Sequence, residues 1–215
     1  MKVSREGWPI TAFAGFMGLG SLFIVPVIAP LLFALAIGLA WFFRDPERVL
    51  PEDVTDNMVI SPADGKIMEV ERTEHPYTGP ALKIGIFMSV LDVHINRAPL
   101  GGQVDYLEYV PGKHLMAFNK KASSDNERFY VGLVTNHGPV LTVQIAGLIA
   151  RRIVNRLTRG ESLKMGQIFG MIKLGSKVEV LLPLSTRPCV RSGQKVKAGL
   201  TVIGVIEDEK NKEAS

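Results

Sequence analysis

Hydrophobic and polar positions divide the chain into two unlike parts. From Trp8 to Phe43 there is no charged residue. About 20 apolar residues suffice for one helical span of a bilayer, and this run is longer. Pro26 and Pro30 split it into pieces of roughly 9–25 and 31–43. Each piece is short for a full span, and proline inside a helix breaks its hydrogen bonding. Lys2 and Arg5 precede the run, and Arg44 and Arg48 follow it. Positive charge on both flanks favours keeping both ends cytoplasmic. A shallow apolar helical hairpin satisfies the lengths and the charges together. A single tilted helix is the main competing reading. A cleaved signal peptide fits less well, because the run far exceeds the usual apolar core of about 7–15 residues. Trp8 and Trp41 stand where interfacial anchors occur, and equally where packing residues would.

From Val59 onward the period changes. Short β-branched runs alternate with Gly, Pro and Asp: Val59-Ile60, Lys66–Val70, Leu82–Met88, Gln103–Val110, Phe129–Thr135, Val140–Ala146, Lys177–Leu182 and Leu200–Ile206. Runs of this length bounded by turn residues predict strands. Leu148–Leu157 is the exception, with apolar spacing that suits a helical turn or two. Phe169 to Pro183 reads as one buried strand with Gly175-Ser176 inside it. The prediction is a mainly β (α+β) body over residues 49–215, after a membrane-associated helical segment over 1–48. Two phrases within the body are alike. Gly160-Glu-Ser-Leu-Lys-Met-Gly166-Gln-Ile-Phe-Gly170 parallels Ser192-Gly-Gln-Lys-Val-Lys-Ala-Gly199-Leu-Thr-Val-Ile-Gly204. Such phrases, with Asp/Gly turns that open strands, resemble the biotinyl/lipoyl barrel-sandwich hybrid. A carrier domain therefore competes as a reading, but Leu163-Lys164-Met165 matches an acceptor site only in part, and Lys164 reads as a solvated turn lysine.

Composition narrows the function classes. A net charge of +4 is too mild to argue for nucleic acid, and no RNA-reading aromatic motif or long Lys/Arg tract occurs. Mild basicity beside an apolar segment suits an anionic membrane surface. The single cysteine, Cys189, excludes an intramolecular disulfide and a cysteine-based zinc site. Of the four histidines, His75, His114 and His137 fall in turn phrases and read as structural. No His-x-x-x-His pair occurs, so no metal is expected. His94 stands apart, in a polar turn after a strand, where catalytic groups commonly lie. Asp64, in the turn Pro62-Ala-Asp-Gly65, is a candidate carboxylate to orient its ring.

Glycine inside a strand packs nothing and often marks close approach by another group. A bulge is the plain reading of Gly175-Ser176; a hydroxyl poised to attack its own peptide bond is the other. The order of motifs decides between them. Arg44-Asp-Pro-Glu-Arg48, Ser61-Pro-Ala-Asp-Gly65, Asp92-Val-His-Ile-Asn-Arg-Ala-Pro99, Asn126-Glu-Arg128, Gln144-Ile-Ala-Gly147, Ala150-Arg-Arg-Ile-Val154 and Phe169–Ser176 follow one another. Together they resemble phosphatidylserine decarboxylase in its short bacterial and archaeal form, over nearly the whole chain.

The resemblance implies a proenzyme that cuts itself between Gly175 and Ser176, giving fragments 1–175 and 176–215 that stay associated as a heterodimer. Ser176 would become a pyruvoyl group, the covalent cofactor, which forms a Schiff base with the substrate amine and accepts the electrons left as CO2 departs. The substrate would be phosphatidylserine and the product phosphatidylethanolamine. His94 is the candidate base for Ser176 and the candidate acid in turnover, with Asp64 orienting it. Longer relatives carry His-x-x-His in this segment, whereas here the second position is Arg97; either His94 serves both steps or another group, such as His137, takes one. Arg44, Arg48, Arg151, Arg152 and Arg156 are candidates for the lipid phosphate. The expected location is the cytoplasmic face of the cell membrane; relatives often form dimers, which leaves a higher oligomer open. A pyruvoyl decarboxylase of a soluble amino acid and a non-catalytic, membrane-tethered carrier-like β domain are the alternatives.

Overall fold

The computed structural model describes residues 2–113, 115, 122–147, 153–173 and 176–207. They form two compact units, one up to Glu47 and one from Arg48 onward.

The first unit is a helical hairpin: α1 (Trp8–Ile24), a 3-10 turn (Pro26–Ile28) and α2 (Ala29–Phe42). Each helix carries a proline in its first turn, where the missing N–H has no helical partner to lose. The predicted break therefore falls at 25–28, and Pro30 begins the second helix instead of interrupting it. Gly18 lets the helices approach, since a Cβ there would sit 3.1 Å from the Phe33 ring. The two ends meet: Ser4 donates its N–H to the Phe43 carbonyl and Asp45 to the Lys2 carbonyl, both at 2.8 Å. The opposite tip is apolar and open, with Phe23 90% and Ile24 83% exposed. No helix among the described residues is long and apolar enough to cross a membrane.

The second unit is mainly β. In chain order its strands are β1 (Met58–Ile60), β2 (Gly65–His75), β3 (Gly79–Met88), β4 (Ile95–Arg97) and β5 (Gly102–Val110). A single helical turn, α3 (Ala122–Asp125), precedes β6 (Arg128–Thr135), β7 (Gly138–Ile145), β8 (Ile153–Asn155) and β9 (Ser162–Leu163). Then come β10 (Ile168–Ile172), β11 (Ser176–Pro183), β12 (Thr186–Pro188), β13 (Lys195–Val196) and β14 (Val202–Ile206). A long sheet runs β13-β2-β3-β11-β7-β6-β5-β9, and two small ones run β1-β14-β12 and β4-β10-β8. The strand pairings are antiparallel. Period-two alternation sends Ile84, Ile86 and Met88 of β3, with Val178, Val180 and Leu182 of β11, into one core. Leu181 goes to the other face, with Leu141, Val143 and Ile145.

The two similar phrases fold alike. Gly160 and Gly193 both take positive φ (85° and 89°), as do Gly166 and Gly199 (78° and 73°). Each phrase contributes a two-residue strand, a glycine turn and a five-residue strand. β9 pairs with Gly102-Gln103 of β5, and β13 pairs with Gly65-Lys66 of β2. Gly166 donates its N–H to Ala98, and Gly199 to Ser61, each at 2.9 Å. The body is thus built from two matching halves, in which Ser61-Pro-Ala-Asp-Gly65 answers Ala98-Pro-Leu-Gly-Gly102. In the first of these turns Gly65 has φ of 155°, and a Cβ there would lie 2.1 Å from the Phe87 carbonyl oxygen.

Two expectations need correction. The helical reading of Leu148–Leu157 fails where it can be seen: Ile153–Asn155 is strand β8, paired with Gly170–Ile172, and residues 148–152 lie outside the described set. Pairing along β10 overrides local apolar spacing. The run Phe169 to Pro183 is two strands in different sheets, not one. β10 ends at Ile172 and β11 begins at Ser176, so the serine opens a strand and does not interrupt one.

Candidate functional site

Ser176 is fully buried. It is the first residue of β11 and pairs with Met88, the last residue of β3. Its Oγ donates to the Met88 sulfur at 3.4 Å. The Asn96 side-chain amide on β4 approaches the same sulfur at 3.8 Å. A thioether is a weak acceptor, so two strong donors share a poor partner. Gly175 lies outside the described residues, as do His114, Arg151 and Arg152.

His94 is fully buried, two residues before Asn96 in an extended segment, the spacing that puts both side chains on one face. Its Nδ1 lies 2.9 Å from the Asp92 carbonyl oxygen. A carbonyl only accepts, so Nδ1 carries the proton, and in the neutral ring Nε2 is the basic nitrogen. The segment is anchored by Ile172, whose N–H donates to the His94 carbonyl at 3.2 Å, and by an Asp92 carboxylate that accepts from the Ser89 amide and hydroxyl.

Asp64 does not orient His94. One carboxylate oxygen accepts from the Ala198 N–H and the other from Arg48, both at 2.8 Å. Arg48 also donates to the Ala198 carbonyl at 3.0 Å. The ion pair is nearly buried, with side chains 8% and 12% exposed. Its physical task is to clamp the 61–65 turn to the 197–201 turn, and a backbone carbonyl takes over the orienting part expected of it. Arg48 is thereby committed to a carboxylate and a carbonyl. Arg44 lies over the Trp41 ring, 3.9 Å from its centroid, and donates to the Trp41 carbonyl. Arg97 donates to the Gly166 carbonyl at 3.1 Å and runs past Gly199. Arg97, at the second position of the expected His-x-x-His pattern, therefore ties the two halves of the body here.

Behind Asn96 stands a line of buried amides. Gln144 Nε2 donates to Asn96 Oδ1 at 2.8 Å, and Asn155 Nδ2 donates to Gln144 Oε1 at 3.2 Å. Asn96 and Gln144 are fully buried. Gly170 makes room for them, since a Cβ there would lie 2.6 Å from the Val154 carbonyl oxygen and 2.9 Å from Gln144 Nε2. Asn96, Gln144 and Asn155 were not singled out among the sequence candidates. The available signal was Gln144, a lone amide in the apolar strand Val140–Ala146.

The opposite face of the strand is ionic. Lys177 pairs with Glu69 and, at 2.8 Å, with Glu179, and it donates to Ser123 Oγ at 3.0 Å. Lys83 pairs with Glu71 at 2.7 Å and Glu69 at 3.5 Å. Burial pushes the Glu69 carboxyl up, but Lys177 and Lys83 together outweigh it and hold the group below its ordinary value. Burial likewise pulls the Lys83 ammonium down, and Glu71, Glu179 and Glu69 more than offset that.

Lys164 is exposed in the turn after β9, with its N–H donated to the Gln167 side chain. Cys189 is exposed.

Comparison with known proteins gives this arrangement a context. The family model described as phosphatidylserine decarboxylase matches residues 35–204. The phosphatidylserine decarboxylase proenzyme of Symbiobacterium thermophilum is 47% identical, with 94% of both chains covered. The proenzyme of that name from Carboxydothermus hydrogenoformans is 47% identical over 94% of this chain and 96% of its own. The one from Ralstonia nicotianae is 45% identical over 95% and 96%. With a model covering well over half its length and relatives this similar, the chain belongs to the phosphatidylserine decarboxylase family.

Proposed function

We propose that this chain is a phosphatidylserine decarboxylase proenzyme that cuts itself between Gly175 and Ser176 and converts Ser176 into its pyruvoyl cofactor. The observation that carries the reading is the setting of Ser176: a fully buried hydroxyl at the start of β11, on a Met88 sulfur that the Asn96 side chain also approaches. A buried serine whose hydroxyl, among the described residues, meets only a thioether is poorly explained as a structural group, since buried hydroxyls normally find strong partners. A pyruvoyl carbonyl supplies an electron sink for the leaving carboxylate.

In this reading His94 Nε2 takes the Ser176 proton during self-cleavage and supplies a proton in turnover. Asp64 acts at one remove by holding the two turns together. The pairing pattern supports association of the fragments: β11 is flanked by β3 and β7, β14 pairs with β1, and β13 with β2. Asp64 and Arg48 of the large fragment grip Ala198 of the small one. The matched halves support the barrel-sandwich likeness of the body.

The substrate class follows the relatives' name, and the apolar hairpin supports work at a lipid surface on the cytoplasmic side. Helices of 17 and 14 residues with an exposed apolar tip suit shallow insertion. The test is an assay of CO2 and phosphatidylethanolamine from phosphatidylserine vesicles, with free serine in parallel. Purified protein should act on the lipid, and Ser176→Ala should remain one inactive chain. Decarboxylation of the lipid by Ser176→Ala would overturn the reading.

A further inference from the structure

The amide line behind Ser176 has a fixed direction. Amide orientation is ordinarily assigned from hydrogen-bond partners, and here one partner is unambiguous. The Leu157 backbone N–H donates to Asn155 at 2.9 Å, so the accepting atom is Oδ1 and the Asn155 nitrogen faces Gln144. Gln144 must then present Oε1 to Asn155 and its nitrogen to Asn96. Asn96 must present Oδ1 to Gln144, and its own nitrogen is turned towards the Met88 sulfur, to which Ser176 Oγ also donates. Reversing Asn155 or Gln144 sets nitrogen against nitrogen and oxygen against oxygen, and reversing Asn96 sets its nitrogen against that of Gln144. The protein thus delivers an N–H donor to the Met88 sulfur that Ser176 also meets, and among the described residues this thioether is the donor's partner. Gly170 leaves the space that the line occupies.

We propose that Asn96 donates its side-chain N–H to the oxygen that becomes negative when Ser176 attacks the preceding peptide carbonyl, and that Gln144 and Asn155 are positioning residues that fix the direction of that donor. The inference rests on the self-cleavage reading. In the step concerned, Ser176 Oγ bonds to the carbonyl carbon of residue 175 and its proton passes to a base. The carbonyl π pair moves to oxygen, which carries the negative charge. As the carbonyl re-forms, the carbon–nitrogen bond breaks, the nitrogen takes up a proton, and an ester remains. A fixed dipole that donates to such an oxygen lowers the barrier without reorganising during reaction.

The test follows self-cleavage of the full-length chain by intact mass after pulse synthesis, with thermal melting of each variant. Asn96→Asp removes the donor at nearly constant shape and should slow cleavage on the order of 100-fold, the scale for loss of one such donor. Gln144→Glu keeps the acceptor for Asn155 but cannot donate, so Asn96 turns its nitrogen away and cleavage slows comparably. A buried carboxyl has a raised pKa, and once protonated it donates again. The Gln144→Glu rate relative to wild type should therefore rise as pH is lowered, which a purely structural role would not produce. Asn155→Asp, at a half-buried position, should reverse the line through two links and slow cleavage as well.

Variant rates within twofold of wild type would overturn the proposal. So would a Gln144→Glu ratio flat with pH, or slowing that merely follows lost folded protein. If wild type itself stays uncut, the self-cleavage reading has failed. If wild type is cut, Ser176→Ala is not, and Asn96→Asp matches wild type, only the donor assignment has failed.

Discussion

The two faces of β11 at its first residues solve opposite problems. On one face Ser176 sits among a thioether, amides and apolar side chains. On the other, one residue along, Lys177 lies in a cluster with Glu69, Glu179 and Ser123. The neutral face holds polar groups whose dipoles have direction but no net charge, so a developing negative charge is met by oriented N–H and not by a competing carboxylate. The ionic face holds position. In the proposed cut protein Lys177 is the second residue of the small fragment, while Glu69 and Ser123 belong to the large one. The charges then keep the new chain end in register after the peptide bond that held it is gone.

The sharpest way to break this comparison is to exchange the effects. Ser176→Ala should abolish cleavage completely, read by gel and mass, while changing unfolding free energy by no more than about 1 kcal/mol, the scale of one modest hydrogen bond. Lys177→Met should do the reverse. Removing one partner of a nearly buried pair costs roughly 3 kcal/mol, read by urea unfolding in the uncut Ser176→Ala background, and the Lys177→Met protein that folds should still cleave. If Lys177→Met folds normally but fails to cleave, the division of labour is wrong.

Two glycines sharpen it. Gly170→Ala would drive a methyl into the Val154 carbonyl oxygen at 2.6 Å, which backbone cannot easily yield, so a loss of about 2 kcal/mol is expected. Gly85→Ala on the ionic face meets side chains and no backbone, Glu69 at Oε1 (2.7 Å) and Cγ (2.8 Å) and Lys177 at Cε (3.0 Å); these can shift where a carbonyl cannot, and the change should cost about 1 kcal/mol. The smallest effect is with pH. The lowered Glu69 pKa contributes stability above its ordinary value of 4.5, lost as pH falls through the folded value below it. The raised Lys83 pKa contributes below 10.5, lost as pH rises through the folded value above it. Melting temperatures should fall at both extremes, and Glu69→Gln should flatten the acid side.

Much of this architecture was legible in the residues. The helical hairpin followed from Pro26, Pro30 and the flanking charges, because length and charge act locally. The strands Leu82–Met88 and Lys177–Leu182 followed from alternation, because both bury one face in the core. The repeat of Gly160–Gly170 in Ser192–Gly204 was visible because positive φ demands glycine at matching places. What was not legible depends on partners far along the chain. Ile153–Asn155 is a strand only because β10 lies beside it, and Ser176 opens a strand because β10 and β11 belong to different sheets. Asp64 could be recognised as important but not assigned to Arg48 and Ala198. Asn96 and Gln144, distant in sequence, become a pair only once β4 and β7 face each other.

The central claim is that residue 176 opens a chain of its own. Intact mass spectrometry of freshly purified protein measures it directly. The account predicts two polypeptides, the smaller covering residues 176–215 and beginning with a keto acyl group that has no free amine. A single unbroken chain of 215 residues, with an ordinary serine at 176 in material that decarboxylates the lipid, would contradict it.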